Sequence, residues 1–180
     1  DQLIVATRQG MAIRFNETDA RVLGRTARGV RALNLEEDDI VVGMVPVMEN
    51  TTVLTVSENG QGRRTDPAEY RLQSRGGKGI KNYDTQKNGP VAGVLAVGEE
   101  DDVILISDDG IIIRIPVAEI STQSRYAGGV RVMRIGEGSR LVSLCRAPHE
   151  DEEEAAAESE APAEAETPAE ETADSTETPA

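Results

Sequence analysis

Aromatic residues are nearly missing from this chain of 180 residues: no tryptophan, one phenylalanine (Phe15) and three tyrosines (Tyr70, Tyr83 and Tyr126). Its core must therefore come from Val, Ile and Leu, side chains that suit strands. A single cysteine, Cys145, excludes an intramolecular disulfide and fits a reducing compartment. Cys145 and the single histidine, His149, lack partners at ligand spacing, so neither a metal site nor Cys–His chemistry is read from them. Nothing resembles a signal peptide, and no apolar run approaches the roughly 18 residues of a membrane span. No catalytic constellation stands out. The chain opens on Asp1-Gln2 inside an apolar pattern, as expected of a C-terminal fragment of a longer protein.

Positive charge is missing from one region only. Residues 150–180 hold 13 of the 33 Asp and Glu and none of the 19 Lys and Arg. Residues 1–149 are left with 20 acids against 19 bases, so the net charge of −14 belongs almost wholly to the tail. The low overall isoelectric point thus excludes nothing about a polyanionic partner. Built of Glu, Ala, Pro and Thr, the tail cannot offset its chain entropy by burial and is expected to be disordered. Two roles are open to it: a solubilising appendage, or a polyanion that competes with another polyanion for the cations of residues 1–149.

What the first 149 residues do have is a period of 50. Gly10, Gly60 and Gly110 align, as do Arg14, Arg64 and Arg114, and then Asp19, Glu69 and Glu119. Arg25, Arg75 and Arg125 follow, then Gly29, Gly79 and Gly129, then Arg31, Lys81 and Arg131. Three repeats result, 1–50, 51–100 and 101–149. Within each, short β-rich runs flank turns such as Glu58-Asn59-Gly60 and Asp108-Asp109-Gly110, which read as hairpins. A short helical turn is expected near the 19/69/119 acid, a third strand near 29–33, and a fourth over 40–47. Four strands per repeat predict an all-β fold of propeller-like blades.

The repeated loop that carries charge is richest at Gln73-Ser74-Arg75-Gly76-Gly77-Lys78-Gly79-Ile80-Lys81. It is no P-loop, because Gly79 rather than Ser or Thr follows Lys78 and no helix pattern succeeds it. Gly60-Gln61-Gly62-Arg63-Arg64-Thr65 is no dinucleotide fingerprint either, and reads as a hairpin turn whose Arg63 and Arg64 extend the basic rim. One such loop is explained by a solvated turn. A cation recurring at 25/75/125 and 31/81/131 has no evident packing use, and it predicts a row of phosphate contacts. Candidate contacts are Gln73, Arg75, Gly76, Gly77, Lys78, Gly79 and Lys81, with Arg25, Arg28, Arg31, Arg125 and Arg131.

Gln73 to Gly79 resembles the glycine-rich box of the bacterial DNA gyrase A subunit, and the phrases Val56–Thr65 and Gly29–Leu33 resemble its C-terminal blades. The resemblance covers residues 1–149. It implies a β-pinwheel, three blades of a six-bladed disc that wraps double-stranded DNA on its edge so that strand passage introduces negative supercoils. It also implies partners: the rest of the gyrase A subunit, together with the gyrase B subunit in an A2B2 heterotetramer. ATP and Mg would be held by the B subunit, with no cofactor in this segment. A cytoplasmic, nucleoid-associated location follows. Ser74 departs from the usual basic residue of the box, and the box sits in the middle repeat, as expected of a later-blade copy. The rivals are the A-type subunit of topoisomerase IV and a propeller for protein interaction. Retained Gly-Gly-Lys-Gly disfavours the first, and the absence of Trp landmarks disfavours the second.

Overall fold

The computed structural model describes residues 1–149. The expected disordered acidic tail, 150–180, lies outside the described residues. Each repeat begins with a hairpin: β1 (Gln2–Thr7) with β2 (Met11–Asn16), β4 (Thr52–Ser57) with β5 (Gln61–Thr65), and β8 (Asp101–Ser107) with β9 (Ile112–Pro116). The expected turns close them. Gly10, Gly60 and Gly110 adopt φ of +84°, +76° and +85°, and their N–H groups donate to Thr7 O, Ser57 O and Ser107 O. A three-residue loop ending in a left-handed residue favours glycine there. The strand β3 (Val41–Val47) returns to pair with β1, β7 (Val91–Val97) with β4, and β11 (Leu141–Pro148) with β8.

The third strand expected in each repeat differs from the sequence reading in its pairing. The two-residue strand β6 (Ile80–Lys81) pairs not within its own repeat but with β2 of the preceding one, Met11 opposite Lys81 and Ala12 opposite Ile80. Likewise β10 (Val130–Arg131) pairs with β5, Gln61 opposite Arg131. The sheet orders are β3-β1-β2-β6, β10-β5-β4-β7 and β11-β8-β9. The expected strand at 29–33 is absent: Val30 and Arg31, counterparts of β6 and β10, have no described sheet edge beside them. For the same reason the third sheet has three strands.

The apolar residues are buried between sheets rather than in one central core. Ile4, Ala6, Ala12 and Val45 meet Val53, Tyr70, Tyr83, Val91 and Val94 between the first two sheets. Leu54, Val56, Val97, Val103, Leu105, Val117, Ile120 and Leu141 fill the second interface. Strand β3 packs on β7 and β7 on β11. Gly43 lies so close that a Cβ would stand 2.8 Å from a Val94 methyl, and one on Gly93 would stand 2.4 Å from a Leu144 methyl. The aromatic shortage is met by Tyr70 and Tyr83, which are buried, whereas Tyr126 is exposed. Cys145 sits in β11 with an exposed side chain. His149 reaches the buried Asp102 at 2.7 Å, where Arg114 Nε also donates at 2.7 Å.

The donated strand leaves no room at its first turn. Gly79 has φ +77°, and a Cβ on it would be 2.3 Å from Ala12 O. Gly79→Ala is expected to lower stability by about 2 kcal/mol or more, because backbone strain and collision with a carbonyl add. Chemical denaturation measures this, and an unchanged midpoint would show that β6 does not hold the first two sheets together.

Candidate nucleic-acid interface

Each glycine-and-cation loop is a tight turn at 25–27, 75–77 or 125–127, following the 3-10 turns Glu17–Asp19, Pro67–Glu69 and Val117–Glu119. The expected helical turns at the 19/69/119 acid are thus present. The loops are chained. Arg75 Nε donates to Asp19 O at 2.8 Å and Nη1 to Arg31 O at 3.1 Å. Arg125 repeats the pattern on the next repeat: Nε to Glu69 O at 3.2 Å and Nη1 to Lys81 O, with the Arg125 N–H donating to Glu69 Oε2 at 2.8 Å. Asp19 and Glu69 are 50 residues apart, as are Arg31 and Lys81, so one staple is built twice. A cation at this position therefore does have a packing use. It satisfies carbonyls that the preceding turn leaves open, and a guanidinium with five donors can serve several at once.

The staples line up the other cations. Arg31 and Lys81 are exposed and present the carbonyls that the next arginine binds, and Arg131 occupies the same position in the third repeat. Arg25, Arg28, Arg31 and Arg131 have exposed side chains with no polar partner among the described residues. Lys78 is exposed and donates to Glu36 Oε1 at 2.8 Å across the repeat boundary, which holds its ammonium above the ordinary lysine range. Lys81 lies 3.6 Å from Asp84. Ion pairs this exposed are worth little and exchange readily for another anion. Gly76 and Gly79 take φ of +83° and +77°, while Gly77 accepts from Asn34 N at 2.8 Å through its carbonyl. Gln73 N–H donates to Arg14 O at 2.9 Å, and its buried side-chain Nε2 has no partner.

Arg63 and Arg64 do not extend the rim, contrary to the sequence reading. Both are buried, at 0% and 4% exposure, because β5 lies under the loop of the third repeat. Arg64 Nε donates to Ile120 O at 2.5 Å, and its Nη1 pairs with Glu99. Arg14 likewise donates to Pro67 O at 2.6 Å and Tyr70 O at 3.2 Å. The 14/64 position is thus a second inter-repeat clamp. Arg63 Nε donates to Ala127 O at 3.1 Å, and Nη2 to Arg125 O at 2.6 Å and to Asn82 O. Its guanidinium lies 5.1 Å from the Tyr83 ring centre, and burial pulls its pKa below the ordinary value. The signal that would have found it is a break in the repeat: Ile13 and Ile113 stand at this position in the other copies.

Among the described residues no group of acids, His and Cys could hold a metal ion, and no helix is long and apolar enough to cross a membrane. Pinwheel sheets with chained basic loops define a class. The family described as DNA gyrase C-terminal domain, beta-propeller, matches residues 1–48, 51–97 and 101–144, and the chain belongs to it. The DNA gyrase A subunit of Haloquadratum walsbyi is 49% identical over 63 residues, 34% of this chain and 7% of that protein. Its counterpart in Helicobacter pylori is 45% identical over 62 residues, 34% of this chain and 8% of that protein. These matched stretches span under a tenth of the relatives' length. A solved DNA gyrase A C-terminal domain superposes with TM-score 0.74 at 32% identity, over 81% of this chain and 50% of that one. The C-terminal domain of a DNA topoisomerase IV gives 0.77 at 23% identity, over 88% and 50%, a likeness of fold alone.

Arg125→Ala is expected to cost about 1 kcal/mol, because it removes the donor shared by the exposed carbonyls of Glu69 and Lys81. Arg28→Ala, at an exposed residue without polar partners, should stay within about 0.5 kcal/mol. Thermal melts of the two variants check the difference, and equal midpoints would remove the staple's structural role.

Proposed function

We propose that this chain is a DNA-wrapping segment of a gyrase A subunit, in which duplex DNA runs along the chained loops. The observation that carries the proposal is the staple geometry. It fixes Arg31, Lys81 and the loops bearing Lys78 and Arg131 in one repeating order, with ammonium and guanidinium groups exposed. Contacts of this type neutralise phosphates and hold a path without reading bases. Arg25, Arg28, Arg31, Lys78, Lys81 and Arg131 are the phosphate contacts of this reading. Arg75 and Arg125 shape the loops and add charge, and Gly76, Gly77 and Gly79 let the backbone approach. Family membership supports the assignment.

In the same reading the segment serves a type II topoisomerase that introduces negative supercoils. Strand cleavage lies elsewhere in the gyrase A subunit. ATP and Mg enter through the gyrase B subunit of an A2B2 assembly in the cytoplasm. Residues 150–180 compete with DNA for the rim through their 13 acidic side chains.

Binding of the full chain to duplex DNA should be indifferent to sequence and steeply salt-dependent. The double variant Lys78→Ala, Arg131→Ala should reduce the slope of log K against log salt by about two, one per phosphate contact. An unaltered slope would overturn the assignment of these residues. Deleting residues 150–180 should tighten binding, and unchanged affinity would leave the tail a solubiliser.

A further inference from the structure

The turns of the second and third repeats differ by a peptide flip. At the second, Gly76 has φ +83°, its N–H donates to Ala32 O at 2.6 Å, and Asn34 N–H donates to Gly77 O at 2.8 Å. Both bonds tie the loop edge to the preceding repeat. At the third, Tyr126 replaces Gly76 and is not among the residues with positive φ. Asn82, the counterpart of Ala32, gives its carbonyl to Arg63 Nη2, and Ala127, the counterpart of Gly77, gives its carbonyl to Arg63 Nε. Arg63 therefore stands in for both backbone bonds.

The consequence lies on the other side of the peptides. Arg125 O also faces Arg63, at 2.6 Å from Nη2. All peptides are trans, so an inward carbonyl sends the N–H of the next residue outward. The carbonyls of Arg125 and Ala127 point at the buried guanidinium, and the N–H groups of Tyr126 and Gly128 point away from it. Among the described residues neither N–H has a hydrogen-bond partner. Tyr126 is 77% exposed, with Arg125 stacked on its ring at 4.6 Å and donating to its hydroxyl at 3.0 Å. Beneath them Arg63 has no hydrogen-bonded carboxylate, Glu69 being the acid that acts on its charge, and its Nη1 is buried without a partner.

We infer that the third loop forms a backbone anion site, in which the Tyr126 and Gly128 N–H groups, turned outward by Arg63, receive a phosphate diester of the nucleic-acid backbone. The two outward amides flank Ala127, whose own N–H donates to Ser124 O at 3.0 Å, and with a buried cation beneath them they favour an oxyanion. Arg63 is a positioning residue: it touches the loop's carbonyls and never the phosphate. The second loop cannot act in this way, since its corresponding Gly76 N–H is already bonded. The inference rests on the DNA-track reading for the source of the phosphate but not for the site itself.

The test is amide NMR on the full chain, titrated first with inorganic phosphate and then with a short DNA duplex. The Tyr126 and Gly128 amide resonances should shift saturably with both ligands while Gly76 stays fixed under phosphate. Absence of a Tyr126 and Gly128 response to phosphate overturns the site, whether or not duplex binds. A phosphate response without duplex binding keeps the site and defeats the DNA-track reading. The double variant Arg63→Ile, Tyr126→Gly installs the residues of the second loop's pattern. It should keep its thermal midpoint and lose the phosphate response at positions 126 and 128. A folded double variant that still shows the response would remove Arg63 from the role.

Discussion

The bond between an arginine and the carbonyls of the repeat before it holds this structure in order. A buried carbonyl left without a donor costs about 1–3 kcal/mol; Ile120 O, after the third 3-10 turn, is such a group, while Asp19 O and Glu69 O offer more exposed acceptors to the same kind of donor. Arg14 and Arg64 reach forward to the next repeat's turn, while Arg75 and Arg125 reach back to the previous one. The two directions interlock, and the donated strands β6 and β10 run between them. A sheet here is completed only by its neighbour. Charge that looks available for a ligand is thus partly committed to the fold, and the remainder is displayed in the order that the committed part dictates.

Much of this was legible in the sequence. The period of 50, the hairpin turns at Gly10, Gly60 and Gly110, and the blade class all follow from spacing and from glycines where φ must be positive. The exchange of strands was not legible, since Ile80-Lys81 and Val130-Arg131 carry strand propensity without naming a partner. Periodicity states what recurs, and the repeat to which an edge is bonded depends on distances between repeats. The arginines misled for a related reason. Arg63 and Arg64 sit beside the turn Glu58-Asn59-Gly60, where a solvated cation is the ordinary outcome. They are buried because a segment 56 to 64 residues further on lies over them.

The loops also show how one pattern supports different surfaces. With Gly76 the turn can place its N–H toward the preceding repeat and be satisfied by backbone alone. With Tyr126 that conformation is strained, so the carbonyls turn inward and a buried arginine replaces the lost bonds. The best match to the glycine-rich box and the most open backbone amides therefore belong to different loops. Similarity of sequence between the copies is a poor guide to which of them offers donors to a ligand.

Strand exchange has a bearing on how such arrays change over evolutionary time. An interior repeat accepts a strand at one boundary and gives one at the other, and it both receives and supplies arginine staples. Inserting or removing 50 residues in phase leaves every interior edge with a partner of the same kind. Only the outermost edges, such as the second side of β9, register that anything happened. The length of the charged track can then grow or shrink in whole repeats without any new interface having to be invented.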